Sequence, residues 1–271
     1  MTFTARRLLL NAALATGAFA ALAPLASQAQ AQTNTALEEI NRTKVVQIAV
    51  QTDFPPYSFA GTNLQLQGLD IDMANYIGSK LGARVELVQV TSANRVPTLQ
   101  TRRAHMVIAT LGKNPEREAV IDFTAAYSPF FQAVFAAKSV NLKAPADLAG
   151  KTIAVTRGAI EDQELTKIAP AGADVRRFED NNATIAAFVS GQVQAVATGA
   201  SVAGNMMARN PNLNTEFKLL LRDSPNFIGV PKGETALRTR INEIIAEAKR
   251  TGELDRMATK WLGRPAGNLP E

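Results

Sequence analysis

Apolar runs of strand length alternate with helix-spaced segments through residues 44–262, and this alternation restricts the chain to an α/β architecture with parallel-dominated sheets. Residues 44–50 predict a first strand, and Asp53-Phe54-Pro55-Pro56-Tyr57 a rigid loop at its carboxyl end. Over 70–81, Ile71, Ala74, Ile77 and Leu81 share one helical face, with Gly82 as a stop. Residues 84–90 predict a second strand, 94–103 a helix and 106–110 a third, buried strand. A second set follows an extended stretch at 130–137, with strands at 152–155, 174–178 and 193–197 and helices at 159–168, 181–190 and 199–209. Residues 227–230 are apolar again, and 234–262 read as helix with a break near Gly252. Two α/β lobes joined by extended crossings account for this order, and such sheets bind ligands at the carboxyl ends of their strands.

The amino terminus has the pattern of an address. Arg6-Arg7 precede an apolar, alanine-rich run over 8–25 that ends in Ala29-Gln30-Ala31, which predicts a signal peptide over residues 1–31, cleaved after Ala31, and a periplasmic protein. An uncleaved membrane anchor is the competing reading; the alanine content and the processing pattern argue for export. Thr4-Ala5-Arg6-Arg7 is only a loose twin-arginine match, so the export route stays open.

Composition excludes several functions. Removing the leader takes two of 29 basic residues and none of the 24 acidic ones, so the formal charge falls from +5 to about +3, with no basic run to hold nucleic acid. With no cysteine there are no disulfides, no lipid-bearing cysteine and no thiolate metal site, and a single histidine, His105, forms no histidine cluster. His105 reads as structural rather than catalytic. No phosphate-cradling glycine loop and no G-x-S-x-G elbow occurs, so neither a cofactor nor a metal is expected.

Arg117 is the residue most suggestive of chemistry. Asn114 reads as a helix N-cap with Pro115 at the first helical position, which puts Arg117 near the positive end of the helix dipole. Something anionic should hold it: a carboxylate in a two-pronged hydrogen bond, or the neighbouring Glu116 or Glu118 at the surface.

Seven segments stand in order: Asp53-Phe54-Pro55-Pro56-Tyr57, Gly68-Leu69-Asp70-Ile71-Asp72-Met73, Asn94-Arg95-Val96-Pro97-Thr98-Leu99, Pro115-Glu116-Arg117, Asp122-Phe123-Thr124, Gly150-Lys151-Thr152-Ile153-Ala154-Val155 and Lys260-Trp261-Leu262-Gly263. Together they resemble the extracellular solute-binding proteins of polar amino-acid ABC transporters, family 3, over residues 45–263. The resemblance implies a two-lobed, type II-like periplasmic-binding-protein fold whose lobes close on a small ligand. It places 32–132 and 226–271 in the first lobe, 133–225 in the second, and hinge crossings near 130–136 and 224–230.

By the same resemblance, Arg117 is the carboxylate-binding arginine, with Thr110 and the backbone N–H of Gly112 completing the first-lobe cradle. Phe54 falls where the family sets an aromatic ring over the ligand; ordinary loop packing is the alternative. Ser92 and Arg95 are similar to members that bind acidic amino acids and their amides, and so offer a second anion site. Arg95 equally reads as a solvated helix residue. In the second lobe, the turn at Arg157, Gly158, Ala159 and Ile160 would present backbone N–H groups to a carboxylate.

Departures from the family pattern bear on the ligand. Ala159 and Ile160 replace a serine and a threonine, Gly112 replaces a hydroxyl residue, and Gln194 and His105 replace aspartates that look structural. Gly199 stands where amino-acid binders carry an aspartate for the ligand ammonium, which argues against an amino acid held in the usual way. Glu161 and Asp162, on the next helix, are candidates for the missing charge. The expectation is therefore a non-enzymatic, monomeric importer component that captures a carboxylate-bearing solute, an acidic or polar amino acid or amide, and delivers it to an inner-membrane ABC permease. Two alternatives are an organic dicarboxylic acid without ammonium, consistent with Gly199 and with a cleft holding Arg95, Arg117 and Arg157, and a dehydratase acting on cyclic carboxylates.

Overall fold

The computed structural model describes residues 35–270; the expected signal peptide lies outside them. Thr35 caps helix α1 (Ala36–Thr43): its hydroxyl accepts the Glu38 N–H while the Glu38 carboxylate accepts the Thr35 N–H. The chain continues through β1 (Val45–Val50), β2 (Asp53–Phe54), β3 (Ser58–Ala60), β4 (Leu66–Gln67), α2 (Leu69–Leu81), β5 (Arg84–Gln89), α3 (Arg95–Gln100), β6 (Met106–Leu111), α4 (Pro115–Glu118) and β7 (Ile121–Ser128). After it come β8 (Phe131–Ala137), β9 (Thr152–Thr156), α5 (Ile160–Ile168), β10 (Asp174–Phe178), α6 (Asn181–Val189), β11 (Ala195–Gly199) and α7 (Ala200–Arg209). The last elements are β12 (Thr215–Asp223), β13 (Asn226–Pro231), α8 (Thr235–Arg250) and α9 (Glu253–Leu262).

Two five-stranded sheets result, in the orders β5-β1-β6-β13-β7 and β10-β9-β11-β8-β12, with a small antiparallel sheet β2-β3-β4 beside the first. In the first sheet β5, β1 and β6 run parallel and β13 runs against both β6 and β7; in the second, β10, β9 and β11 run parallel and β8 runs against β11 and β12. Helices cover the sheets, so the central strands β6, β11 and β13 are buried at every residue and are mostly apolar, with Thr110, Thr198 and Asn226 the polar exceptions.

The chain passes between the sheets twice, from β7 to β8 through Pro129-Phe130 and from β12 to β13 through Ser224-Pro225. Ser224 N–H donates to the Phe130 carbonyl at 3.2 Å, and Asn226 Nδ2 donates to Ser128 Oγ at 3.0 Å, which ties the two crossings together.

The structure departs from the sequence expectations at a few ends. Helix α3 stops at Gln100, short of residue 103, because Arg102 has the left-handed φ of 53°. Strand β11 starts at Ala195, not 193, and runs to Gly199, so Gly199 caps α7 rather than opening it. The edge strand β12 has no counterpart in the sequence reading: Glu216, Lys218, Arg222 and Asp223 break up its apolar residues, and only Leu219 is buried.

Candidate functional site

The site grows from the end of β6. Thr110 adopts φ 46°, an unusual conformation for a β-branched residue, and its surroundings hold it there. Its N–H donates to Asp70 Oδ2 at 3.0 Å, and Tyr127 Oη donates to Asp70 Oδ1 at 2.6 Å. Burial raises the pKa of Asp70 to about 7, against the pull of these two donors and of Arg95. The Thr110 hydroxyl donates to Gln51 Oε1 at 3.0 Å, and Gln51 Nε2 donates to Ser92 Oγ at 3.0 Å.

Arg95 opens α3 and turns inward. Its Nε donates to the Ser92 carbonyl at 3.1 Å, and Nη1 donates to the carbonyls of Ala109 at 2.8 Å and Thr110 at 3.2 Å. The solvated-helix reading therefore does not describe it: Arg95 is 3% exposed, and burial lowers its pKa.

Arg117 sits as the helix signals predict. Asn114 Oδ1 accepts the Arg117 N–H at 2.9 Å, and Pro115 occupies the first helical position. The side chain turns away from Glu116 and Glu118; Glu118 pairs with Lys113 at 3.0 Å. Arg117 is 5% exposed, with Nη1 donating to the Gly112 carbonyl at 2.7 Å and Nη2 to the Gly158 carbonyl at 3.0 Å. Burial, with Arg95 adding to it, lowers its pKa to about 9. Every hydrogen bond from these two guanidinium groups thus goes to a neutral carbonyl.

Phe54, Ser92, Arg95, Thr110, Phe130, Ala159, Ile160 and Glu161 surround one small cavity between the sheets, about 10 Å³, room for a single water. A larger solute enters only if the two sides separate. The contacts that would part include Arg117 to Gly158, Asn114 Nδ2 to Gln163 Oε1 at 2.7 Å, Arg222 Nη2 to the Lys113 carbonyl at 2.7 Å and the Asn181 N–H to Asp53 Oδ2 at 2.6 Å. Gly112 and Gly158 permit this approach: a Cβ on Gly112 would meet Ile160 at 3.3 Å, and one on Gly158, at φ 70°, would meet Ala93 Cα at 2.8 Å.

Five of the residues singled out from sequence do not line the cavity: Gly112, Arg117 and Gly158 are joined to one another by the two Arg117 bonds, and Arg157 and Gly199 stand apart. Arg157 points outward, half exposed, and its Nε donates to Glu179 Oε1 at 2.7 Å. Gly199 lies behind Phe130, so a Cβ there would stand 2.2 Å from Phe130 Cζ. The ring packs edge-on against Tyr57, with centroids 5.3 Å apart, and lies 6.0 Å from Phe54.

Two further polar residues are prominent. Glu161 was only an alternative source of charge in the sequence; here it lines the cavity, is 2% exposed, and leaves Oε1 without a partner. Gln132, opposite Gly199 in the β8–β11 register, is fully buried with both amide atoms unpartnered. No sequence signal marked Gln132, since one glutamine in an apolar strand has no motif. Among the described residues no group of three or more histidine, cysteine, aspartate or glutamate side chains is placed to hold a metal. No helix among them is long and apolar enough to cross a membrane.

Comparison with known proteins gives a consistent result. The model of the family described as bacterial extracellular solute-binding proteins, family 3, matches residues 46–264. The ABC transporter glutamine-binding protein of Bacillus subtilis is 29% identical over 202 residues, 73% of each chain. An ancestral arginine-binding protein, solved bound to arginine, shares 32% identity at a TM-score of 0.77, covering 81% of this chain and 99% of that one. A mutant of the arginine-binding protein ArgBP from T. maritima aligns with a TM-score of 0.79 and 28% identity, covering 84% of this chain and all of that one.

Proposed function

Since the chain belongs to the bacterial extracellular solute-binding proteins of family 3, we propose that it is the periplasmic receptor of an ABC importer. It captures a small carboxylate-bearing solute, a polar or acidic amino acid or its amide, and presents it to an inner-membrane permease. The observation that carries this reading is the pair of buried guanidinium groups, Arg95 and Arg117, whose hydrogen bonds all go to backbone carbonyls, with Arg95 lining the closed cavity and Arg117 near enough to feel its charge. A buried cation without an anionic partner is costly, and a carboxylate placed between these two supplies one. The naming of relatives as glutamine- and arginine-binding proteins supports an amino acid as the class.

In this reading the expected boundary at 132/133 moves to the crossing, because β8 begins at Phe131 in the second sheet: residues 35–128 and 226–270 form one lobe and 131–223 the other, and they rotate about the crossings at Pro129-Phe130 and Ser224-Pro225. Closure is favoured only by contacts the solute makes with both sides at once. Arg117 is placed for this, since its guanidinium already reaches the Gly158 carbonyl across the cleft. Phe54 and Phe130 supply an apolar wall, and Ser92 and Thr110 supply hydroxyls.

A second reading, an organic dicarboxylic acid without ammonium, draws on Gly199 and on the Phe130 ring that fills the space beside it. Calorimetry separates the two. The leaderless chain, unfolded and refolded to strip carried-over solute, is titrated with glutamine, glutamate and aspartate and with the same acids lacking the α-ammonium. Binding of at least one set is expected. Binding of none, or turnover of prephenate or arogenate, would refute the receptor reading.

A further inference from the structure

An amino acid held in this cleft brings an ammonium that needs a negative partner, and the end of β11 has none to give. Gly199 lacks a side chain, and the Phe130 ring occupies the space one would enter, 2.2 Å from a Cβ built there. We propose that Glu161, in the first turn of α5, is the residue that receives the solute's ammonium, a specificity anchor moved from the strand end to the facing helix. The proposal rests on the reading of the cleft as a carboxylate site.

Three observations converge on Glu161. It lines the same cavity as Arg95, Ser92 and Thr110, is 2% exposed, and its Oε1 has no hydrogen-bond partner. A buried carboxylate oxygen left open is costly unless a ligand donor meets it. The neighbouring acid is already engaged: Asp162 Oδ2 accepts the Gly158 N–H at 3.1 Å and Oδ1 accepts from Arg177 Nε at 2.8 Å. Charge balance points the same way. Burial raises the pKa of Glu161, and the charges of Arg95 and Arg117 oppose that rise, yet neither arginine forms an ion pair with it among the described residues. A zwitterion adds no net charge to this set, whereas a dicarboxylate adds two negative charges beside Glu161 in a site closed to water.

The test is calorimetry on the wild type, Glu161→Gln and Arg117→Ala. The probes are glutamine, glutamate, aspartate and arginine, each paired with its counterpart bearing hydrogen in place of the α-ammonium. The expected result is that the wild type prefers an amino acid to its counterpart. Glu161→Gln should weaken that amino acid by about thirtyfold or more, and leave the counterpart unchanged or tighter. The thermal midpoint of ligand-free Glu161→Gln should be unchanged or higher, because no hydrogen bond to Oε1 is lost; a merely structural glutamate would lower the midpoint and weaken both members of a pair alike. Equal affinities in wild type and Glu161→Gln, or a wild type that prefers the counterparts, would overturn the role of Glu161. Arg117→Ala reports separately on the carboxylate reading: losing both members of each pair supports it. Should no probe bind the wild type, both fail together.

Discussion

Replacing Gly199 by alanine tests why that position lacks a side chain. The backbone of Gly199, at φ −65° and ψ 141°, suits any residue, so alanine introduces no conformational strain. The obstacle is the Phe130 ring, whose Cζ and Cε2 would stand 2.2 and 2.6 Å from the new methyl. Carbon atoms rest about 3.5–4.0 Å apart, so the ring must retreat by more than about 1 Å. It has little room, being 6% exposed and packed against Tyr57 and Phe54. Overpacking of this kind costs about 1–3 kcal/mol, and for a chain of this size each kcal/mol lowers the thermal midpoint by about 2–4 °C. Calorimetric unfolding of the ligand-free protein should therefore show Gly199→Ala several degrees below the wild type. In a Phe130→Leu background the clash is absent, and the same substitution should cost under about 0.5 kcal/mol, a coupling of about 0.5 kcal/mol or more. The small N-cap preference of glycine over alanine is common to both backgrounds and cancels in the cycle. Equal costs in both would show that Phe130 is not the reason for glycine. The same clash means that restoring aspartate at 199 requires a smaller residue at 130.

Arg117→Ala should leave the circular dichroism spectrum intact and weaken the bound amino acid more than a hundredfold, from a loss of about 3–5 kcal/mol; wild-type affinity by calorimetry would refute its role. Asp53→Ala removes the acceptor for the Asn181 N–H at 2.6 Å and for Asn181 Nδ2 at 3.3 Å, at the start of α6. A bond to a charged acceptor contributes about 1.5–3 kcal/mol, so affinity should fall about tenfold or more and small-angle scattering should show a wider ligand-free protein; no change in either would remove Asp53 as a closing contact. Asp70→Asn addresses pH. Burial raises the folded-state pKa of Asp70 from 3.8 to about 7, so between those values the folded chain binds more protons than the unfolded one. The stability this group contributes is full below about pH 4 and is lost as pH rises through 7, by up to about 4 kcal/mol. Urea midpoints at pH 4.5 and 7.5 should therefore differ less in Asp70→Asn than in the wild type, and an unchanged difference would contradict the assignment.

Much of the site was legible because its signals are local. The N-cap at Asn114 and the proline after it located Arg117 on its helix, and the structure repeats that geometry bond for bond. What Arg117 touches was not legible, since the Gly158 carbonyl lies 41 residues along the chain. Arg95 shows the same limit: one face of a short helix reads as solvent or core equally well, until β6 brings the Ala109 and Thr110 carbonyls to its guanidinium. Arg157, grouped with the other two arginines on charge alone, pairs with Glu179 at the surface because nothing in its neighbours sets its direction.

The sequence by itself determined the α/β alternation, the buried central strands and the family, because periodicity, caps and short motifs are written in neighbouring residues. Only the tertiary structure decided which of two adjacent acids, Glu161 or Asp162, is left open to the cleft, and that Gly199 is filled from behind by Phe130. Those outcomes depend on how two sheets, joined by two short crossings, bring distant side chains to one point. No local pattern encodes that.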